Sequence, residues 1–559
     1  METPDLQGAY PRLSDAQVAA LTALGERRAA QPEEVLFREG QRNGDFFVVL
    51  AGNVAVVEAR GTPEERTIAV HGRHRFLGEL GLLTGEASYF TAVAVDAGEV
   101  LAVPVERLRE LVARDPGLGD LILRAYLVRR SILIGLGVGL RIVGSRYSPD
   151  ARRLRDFAAR NRLPYRWLDL EADPGAETLL QHFGVAPEDT PIVIAADRLL
   201  RNPSNAELAA AIGLPAPGAP HTSCDLLVVG SGPAGLSAAV YGASEGMQTV
   251  VLDSTATGGQ AATSSRIENY LGFPSGISGA ELADRAVIQA RKFGARFAVP
   301  AEARSIRPDD GQYTVGLDDG TSVTAASVVI ATGARYRRLD VPRMEYFEQM
   351  SVYYAASQAE ALLCRGDPVA IVGGGNSAGQ AAVFLSRHAE RVTLIVREHD
   401  LGECMSRYLI DQVSRLANVR VLLGTEVREL LGDQALEAVA VEDNRTAERR
   451  TLEARALFVF IGVTPCTGWL SGLVELDDHG FVRTGPDAAR PADAVAGAET
   501  GWQRSVLETS RPGIFAVGDV RCGSTKTGRR GRGRGRDGDP ARLRKSTGYV
   551  ADEHAVRVT

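Results

Sequence analysis

Cysteine is scarce in this chain of 559 residues, and its five cysteines lie far apart in the sequence. No two of them form a CxxC, which excludes a local redox pair and a zinc knuckle. The N-terminal residues METPDLQGAY have neither a basic nor an apolar segment, so we expect no secretory signal. The longest apolar stretch, 132–140, is interrupted by glycines and is far shorter than the roughly 20 residues that span a bilayer. We therefore expect a cytoplasmic protein without a membrane segment.

The composition is that of an ordinary globular protein. Hydrophobic residues make up 45% and charged residues 24%, which excludes widespread disorder. The formal net charge of −7 gives no general affinity for nucleic acid, so a nucleic-acid partner is not expected. At about 150 residues per domain, a chain of this length requires three or four domains.

The hydrophobic pattern changes three times along the chain. Residues 34–104 contain short β-rich runs separated by glycine turns, which predicts an antiparallel roll, and a stretch with helical spacing follows. Residues 141–212 then predict β-α-β-α-β-α, up to a proline-rich joint at 213–223. Beyond Cys224, strands and helices alternate as in doubly wound α/β proteins.

The first strand of this last region leads into a glycine-rich turn. Gly230, Gly232 and Gly235 form a GxGxxG between a strand and a helix, and Asp253 ends the next strand. Such glycines allow a tight turn and a close approach to a pyrophosphate, which the helix N-terminus binds, while the carboxylate accepts hydrogen bonds from a ribose. The complete strand-turn-helix-strand context makes this a specific signal for a dinucleotide.

A second copy of the pattern follows about 140 residues later. Gly373, Gly375 and Ala378 occupy its fingerprint positions, and the strand 392–396 ends the unit. Two such units imply two dinucleotides, and a flavin with a pyridine nucleotide forms the natural electron-transfer pair. The second half is therefore predicted to contain two Rossmann-like domains.

Residues 222 to about 526 resemble the low-molecular-weight thioredoxin reductases. The likeness rests on both fingerprints, GGQ at 258–260 with IENYLGFP after it, ATGA at 331–334, and TSRPGIFAVGDV at 509–520. The resemblance implies FAD, NADPH and a homodimer, with the nicotinamide domain at 336–462 inserted between FAD-domain parts at 222–335 and 463–526. It also implies that FAD is contacted by residues outside the fingerprint, namely Gln260, Asn269, Gly333 and Asp519.

The redox cysteines of that family are missing. The positions that match its CxxC are Ala356 and Ala359, and alanine cannot exchange disulfides. The nearest cysteine, Cys364, stands alone and is expected to be a buried apolar residue. We assign no catalytic side chain and no metal site, because hydride transfer to a flavin needs neither.

The choice between the two nicotinamide nucleotides depends on the residues after the second fingerprint. The family places arginines there that pair with the 2′-phosphate of NADP, and this chain has Arg397. Glu398 beside it would repel a phosphate and suits a ribose hydroxyl. With Arg391 and Arg407 as distant contributors, we expect NADPH, with NADH as the alternative.

The front half resembles two further families. Residues 12–130, in a domain drawn at 10–135, resemble the cyclic-nucleotide-binding domain of the catabolite activator family, with Gly78 and Glu79 at the start of its phosphate cassette. The resemblance implies a nucleotide ligand, but Ser88 stands where that family has the phosphate-binding arginine, so the main cation for its phosphate is absent. Residues 140–215 resemble a glutaredoxin-like thioredoxin fold, with Ser145 and Ser148 in place of its cysteines and Thr190-Pro191 at its cis-proline position.

The tail at 527–559 differs from everything before it. Its arginine-glycine run is typical of disordered segments that bind nucleic acid. A frameshift near Lys526 is the alternative that we favour, because bases that encode 527–540 can be read one position later as Pro-Val-Ala-Ala-Ala-Val-Gly-Glu-Gly-Ala-Met-Ala-Ile, which matches the final helix of the family. Sequencing the gene across this codon decides between the two, and a frameshifted chain would retain FAD weakly.

The predicted fold class is thus multidomain, with an antiparallel β-roll and helices, a thioredoxin-like α/β domain and two Rossmann-like domains. The predicted function is an FAD-dependent oxidoreductase that takes hydride from NAD(P)H and reduces an unidentified acceptor. Two alternatives stay open at this point: a ligand- or redox-sensing regulatory flavoprotein, and a reductase of a partner's disulfide.

Overall fold

A computed structural model describes most of the chain between residues 2 and 524. The described residues are 2–41, 44–62, 65–78, 82, 87–186, 189–195, 198–214, 221–263, 267, 270–348, 351–354, 356, 360–361, 364–433, 435–470, 472–488 and 505–524. The expectations for Glu79, Asn269, Ala359 and the tail at 527–559 lie outside this set. The described residues form two compact units that divide between Ala331 and Thr332.

The first unit begins with the predicted antiparallel roll. Its strands are β1 Glu26–Ala30, β2 Val35–Phe37, β3 Asp45–Ala51, β4 Val54–Glu58, β5 Arg66–His71, β6 Thr91–Ala94 and β7 Gly98–Pro104. They pair as β1-β7-β3 and β2-β6-β4-β5, with antiparallel neighbours throughout. Apolar side chains of both sheets, among them Phe47 and Val49 of β3, Val54 of β4 and Ala92 of β6, form a core inside the roll.

Helices flank the roll at both ends of its sequence. They are α1 Asp15–Thr22, α2 Val105–Arg114 and α3 Pro116–Leu136. The helical spacing after the roll predicted one continuous stretch, but Asp115 ends α2 and caps α3 by accepting a hydrogen bond from the Leu118 amide at 3.0 Å. Arg129 of α3 is buried and donates hydrogen bonds to the carbonyls of Ala9, Phe76 and Gly78, which ties the helix to the roll.

The thioredoxin-like segment follows α3 directly. Its elements are β8 Leu140–Gly144, α4 Pro149–Arg160, β9 Tyr165–Asp169, α5 Pro174–His182, β10 Ile192–Ala195, β11 Arg198–Arg201 and α6 Asn205–Ala211. The sheet order is β11-β10-β8-β9, with β8 and β9 parallel and the other pairs antiparallel. The strand β11 was not predicted, whereas the Thr190–Pro191 peptide is cis as the fold resemblance implied.

The first Rossmann-like lobe completes the first unit. It comprises β12 His221–Val229, α7 Pro233–Ser244, β13 Thr249–Leu252, a 3-10 turn Gly259–Thr263, α8 Gly279–Lys292, β14 Arg296–Ala298, β15 Ala303–Asp309, β16 Gln312–Leu317 and β17 Ser322–Ile330. Within it the strand order is β14-β13-β12-β17-β16-β15. The strand β12 is parallel to both β13 and β17, so their carboxyl ends share one edge, where dinucleotides bind in open α/β sheets.

The second unit contains the other Rossmann-like lobe and the segment that follows it. Its elements are β18 Ala334–Tyr336, α9 Met344–Phe347, β19 Val352–Tyr353, β20 Pro368–Val372, α10 Asn376–Leu385, β21 Arg391–Ile395, α11 Arg407–Val413, β22 Val419–Leu422, β23 Thr425–Leu431, β24 Ala438–Asp443, β25 Arg449–Glu453, β26 Ala456–Val459, β27 Val463–Pro465 and β28 Ile514–Ala516. A parallel sheet has the order β19-β26-β20-β21-β22, and β23-β24-β25 form an antiparallel sheet. Among the residues described, no helix combines the length and the apolar composition that a membrane crossing requires.

Candidate functional site

The first glycine-rich turn has the geometry that its sequence predicts. Gly230 follows β12 with φ +104°, a value that L-residues rarely adopt. A Cβ added to Gly235 would lie 1.9 Å from the Gly230 carbonyl oxygen and 3.1 Å from the Ala331 side chain. Gly235 is therefore required by the close packing of α7 on the turn.

Gly232 has a different environment from Gly235. It is the N-cap residue of α7, and a Cβ added to it would meet no protein atom within 4 Å. Beside it lies the GGQ turn, since the Gly258 amide donates to the Ser231 carbonyl at 2.8 Å and a Cβ on Gly259 would be 3.0 Å from Gly232 Cα. An open helix N-terminus lined by glycines fits the pyrophosphate of a dinucleotide.

Asp253 lies at the end of β13, as predicted for a ribose-binding acid. Its Oδ2 accepts hydrogen bonds from the Ser231 amide at 2.8 Å and the Ser231 hydroxyl at 2.7 Å. Its Oδ1 accepts from the amides of Thr255 at 3.0 Å and Ala256 at 3.3 Å. Asp253 thus holds the loop after β13 against the first turn, and any ribose contact is made by a carboxylate already fixed in place.

The remaining FAD residues predicted from the resemblance fall in both units. Gln260 is exposed on the 3-10 turn of the first unit. In the second unit, Gly333 has φ +66° and open space around it, and its carbonyl accepts from the Cys466 amide at 3.0 Å. Asp519 is exposed on a 3-10 turn after β28 and, after burial, is the second cause that raises the pKa of Tyr336.

The second glycine-rich turn is built like the first, with one difference. Gly373 has φ +135°, and a Cβ on it would lie 2.5 Å from the Phe460 carbonyl oxygen. Gly375 is the N-cap residue of α10 and has open space around it, as Gly232 has. Ala378, at the third position, is fully buried in the apolar core beside α10. The turn therefore accepts a methyl group where the first turn requires glycine.

Arg397 lies two residues beyond the end of β21 and is three-quarters exposed. Its Nε donates to Glu398 Oε1 at 2.8 Å, and this bond together with the charge of Glu398 raises the pKa of the guanidinium. The predicted nucleotide cation is therefore paired with a carboxylate of its own loop.

The five cysteines are all free thiols in the structure. Cys364 is buried, as expected, and burial raises its pKa to about 11. Burial likewise raises the pKa of Cys224, to about 12. Ala356 is half-buried and packs against the core that contains Cys364. Neither the aligned position nor its nearest cysteine offers an accessible thiolate.

The serines of the thioredoxin-like segment have local structural partners. Ser145 donates from its hydroxyl to Glu171 at 2.7 Å, and Ser148 caps α4 by accepting from the Ala151 amide at 3.3 Å. These contacts explain serine as a turn and cap residue at the positions where the fold's redox cysteines would stand.

The cassette region of the β-roll is also occupied by local contacts. Ser88, at the position of the expected arginine, donates from its hydroxyl to the Phe90 carbonyl at 2.9 Å. Tyr89 and Phe90 are buried in a core that they share with the thioredoxin-like segment, including Leu140 and Phe157. This end of the cassette therefore connects the two segments.

Two features near the first turn were missed in the sequence. Ser231 is fully buried and donates a hydrogen bond from its hydroxyl to Asp253. A small polar residue between the fingerprint glycines was the sequence feature that could have indicated this contact. The loop from Asp253 to Gly258 also contacts the thioredoxin-like segment, because Asn161 Nδ2 donates to the Thr255 carbonyl at 2.9 Å. No sequence pattern indicates this second contact.

Family models match two parts of the chain. The model described as pyridine nucleotide-disulphide oxidoreductase matches residues 224–535, and that of the cyclic nucleotide-binding domain matches 27–115. A thioredoxin reductase of Mycolicibacterium smegmatis is 33% identical over 300 residues, covering 54% of this chain and 89% of its own. A 34.2 kDa protein in the rubredoxin operon of Clostridium pasteurianum is 31% identical over 297 residues, covering 53% and 89%.

Among solved structures, the thioredoxin reductase of Streptococcus pyogenes is similar, with 30% identity and a TM-score of 0.44, covering 55% of this chain and 92% of its own. The sequence match covers more than half of the chain and includes both glycine-rich turns. The chain therefore belongs to the pyridine nucleotide-disulphide oxidoreductase family, whose thioredoxin reductases are NAD(P)H-dependent flavin oxidoreductases that use FAD and NADPH.

Proposed function

We propose that this protein oxidises a reduced nicotinamide nucleotide and delivers the electrons to an acceptor outside its own chain. The family membership supports the first half of this statement. The thiol chemistry supports the second half, because the described part of the chain presents no cysteine at the aligned position Ala356 and keeps Cys364 buried.

The residues that would hold FAD remain our assignment. Gly230, Gly232 and Gly235 form its cradle, Asp253 stands at the ribose end, and the other proposed contacts are Gln260, Asn269, Gly333 and Asp519. The open space at Gly232 fits this group, since nothing in the protein itself requires glycine there. When bound, FAD supplies the two-electron redox centre of the family.

The nicotinamide nucleotide is assigned to the second glycine-rich turn. Gly373, Gly375, Ala378 and Arg397 are its proposed contacts, with the pyrophosphate at the N-terminus of α10. The chain's contribution is to bind and orient this nucleotide, since hydride transfer to a flavin needs no side-chain acid or base.

Rapid-mixing absorbance tests the proposal. Anaerobic protein reconstituted with FAD is mixed with NADH or NADPH, and bleaching of the flavin band reports reduction. Thiols are then counted under denaturing conditions before and after reduction. We expect two electrons per FAD and no new thiols, followed by turnover with one of the acceptor classes: an iron-sulfur or flavin protein, a quinone, oxygen or a partner's disulfide. New thiols on the chain would contradict the external acceptor.

A second candidate is a regulatory flavoprotein. The observation that favours it is the core through which Tyr89 and Phe90 join the cassette region of the β-roll to the thioredoxin-like segment. Flavin reduction that changes the hydrogen exchange of the β-roll, without turnover of any acceptor, would favour this candidate over the enzyme.

Two partners complete the proposal. A nucleotide is the ligand class proposed for the β-roll, and calorimetry with cyclic AMP and cyclic GMP tests it. A homodimer is proposed from the family resemblance, and light scattering after gel filtration measures the mass directly.

A further inference from the structure

The loop that follows β21 lies where a Rossmann-like lobe distinguishes NADH from NADPH. The strands β20, β21 and β22 are parallel, so their carboxyl ends lie on one edge of the sheet. The glycine-rich turn follows β20 at this edge, and Arg397 with Glu398 follows β21 beside it. The 2′ position of a bound adenosine ribose is recognised at the end of this second strand.

Glu398 directs its carboxylate at the glycine-rich turn. Its side chain is only 19% exposed, and a Cβ built on Gly374 would lie 3.0 Å from Glu398 Oε2. The backbone of the loop is held as well, because the Glu398 carbonyl accepts from the Gly424 amide at 2.9 Å. A fixed carboxylate thus borders the turn on the side from which the adenosine ribose would approach.

The arginine beside it balances Glu398 alone and leaves the rest of the loop acidic. Arg397 is the partner of Glu398 Oε1, so the pair is formally neutral. Residues 397–403 contain this one arginine against three carboxylates, a formal net charge of −2 with His399 neutral. Glu426 is a further negative charge close enough to act on Arg397.

The two other arginines considered for a 2′-phosphate are paired elsewhere. Arg407 is 89% exposed at the start of α11, and its Nε lies 3.4 Å from Asp411, one turn along the same helix. Arg391 lies 3.3 Å from Glu453 and opens β21, so a rise of about 3.3 Å per residue puts it roughly 20 Å from the loop at the other end. Arg391 is therefore at the wrong end of the strand to reach the 2′ position.

We infer that this loop selects NADH over NADPH, with Glu398 accepting hydrogen bonds from the adenosine ribose hydroxyls and repelling a 2′-phosphate. The inference rests on the proposed function, because it takes the second turn as the nicotinamide-nucleotide site. It differs from the NADPH preference that the family resemblance implies, since that preference depends on cations that are here paired or distant.

Calorimetry with the oxidised nucleotides tests the inference without any turnover. NAD⁺ and NADP⁺ differ only in the 2′-phosphate, and neither reduces a flavin. For the full chain we expect NAD⁺ to bind roughly ten- to hundredfold more tightly than NADP⁺, the range of a hydrogen bond to a charged group. Equal affinities, tighter NADP⁺ binding or no binding of either nucleotide would overturn the inference.

Variants locate the effect at one carboxylate. Glu398→Gln keeps the shape and removes the charge, so the preference for NAD⁺ should fall roughly tenfold, and Glu398→Arg should reverse it. Glu453→Gln removes an equal charge at the other end of β21 and should change nothing. An unaltered preference in Glu398→Gln overturns the inference even if the arginine variant fails to fold. Nucleotides that bind with this preference but never reduce the flavin would instead contradict the proposed function alone.

Discussion

Arg162 and Asp284 form an ion pair, with 2.5 Å between Nη2 and Oδ1, that joins the thioredoxin-like segment to α8 of the first Rossmann-like lobe. Both side chains are largely buried, at 13% and 9% exposure. Arg162 also donates to the Thr257 hydroxyl at 3.3 Å, in the loop before the GGQ turn. The segment is therefore fixed to the lobe next to the proposed FAD cradle.

Replacing Arg162 with alanine should destabilise the first unit. Asp284 would lose the Arg162 guanidinium while staying buried, and breaking a buried ion pair costs about 3 kcal/mol or more. Urea unfolding followed by tryptophan fluorescence, to which Trp167 in β9 contributes, measures the shift of the midpoint. Arg160→Ala, which removes an exposed pair with Asp156, should cost less than about 0.5 kcal/mol. The double variant that also changes Asp284 to alanine should recover part of the loss, and a double variant as unstable as the sum of both would contradict the pairing.

Alanine substitutions at two glycines of the first turn, Gly235 and Gly232, should have different effects on stability, although both weaken FAD binding. Gly235→Ala puts a methyl group 1.9 Å from the Gly230 carbonyl oxygen, so α7 must shift and stability should fall by about 1 to 3 kcal/mol, with loss of FAD. Gly232→Ala meets no protein atom, so stability should be unchanged while FAD binding weakens. Thermal melts of the apoprotein and absorbance of bound FAD give the two readings. Equal melting temperatures for both variants would refute the distinction.

Two cysteines should differ sharply in reactivity. Cys364 is 3% exposed and its pKa is raised to about 11, so at pH 8 it is almost entirely the unreactive thiol. Cys404 is exposed and should be alkylated first by iodoacetamide. Peptide mass spectrometry of the native protein gives the order, and alkylation of both sites in urea is the control. Rapid native alkylation of Cys364 would show that its core opens.

The β-roll should lose stability in mild acid because of His71. Burial, and then the charges of Arg129 and Arg75, hold the pKa of His71 well below its usual value, so the folded state stays neutral. In the unfolded chain His71 binds a proton near pH 6.5. The contribution of neutral, buried His71 to the free energy of unfolding is therefore fully present above that pH and is lost as the pH falls below it. Hydrogen exchange of β3 and β7 at pH 5.5 and 8 measures the loss. His71→Phe should flatten the dependence, whereas His479→Gln, in the second unit, should leave it unchanged.

The sequence predicted most of the elements but not all of their limits. The two glycine-rich turns and the alternation after Cys224 were found because glycine geometry and hydrophobic period are local properties. The strand β1 was missed because its residues, ERRAA, show no alternation of apolar residues, and β11 was missed because its two leucines stand between exposed arginines, in RLLR. The break between α2 and α3 could have been predicted from Asp115 and Pro116, because Asp is a common N-cap residue and Pro is common at the first position of a helix.

The candidate site was predictable only in part, for a physical reason. Gly230, Gly235 and Gly373 are needed because of the backbone conformation or because backbone atoms lie too close for a Cβ. Such a need for glycine is visible in the sequence pattern. The hydrogen bonds from Ser231 to Asp253 depend on how two loops fold together. The ion pair of Arg162 with Asp284 joins residues that are 122 positions apart in the sequence. The domain boundaries drawn from the sequence, and the roles of the site residues, remain predictions.

The helix α3 is a long, stiff connection between the β-roll and the thioredoxin-like segment. It has 21 residues and, at 1.5 Å per residue, is about 30 Å long. Only three residues separate its end from β8, so the thioredoxin-like sheet is attached to the tip of a stiff rod. A tilt of one degree about its start would displace that tip by about 0.5 Å. Arg129 binds the carbonyl of Gly78 and lies seven residues before the end of α3, about 10 Å from the tip, so a rotation of about three degrees at Arg129 would displace β8 by about 0.5 Å.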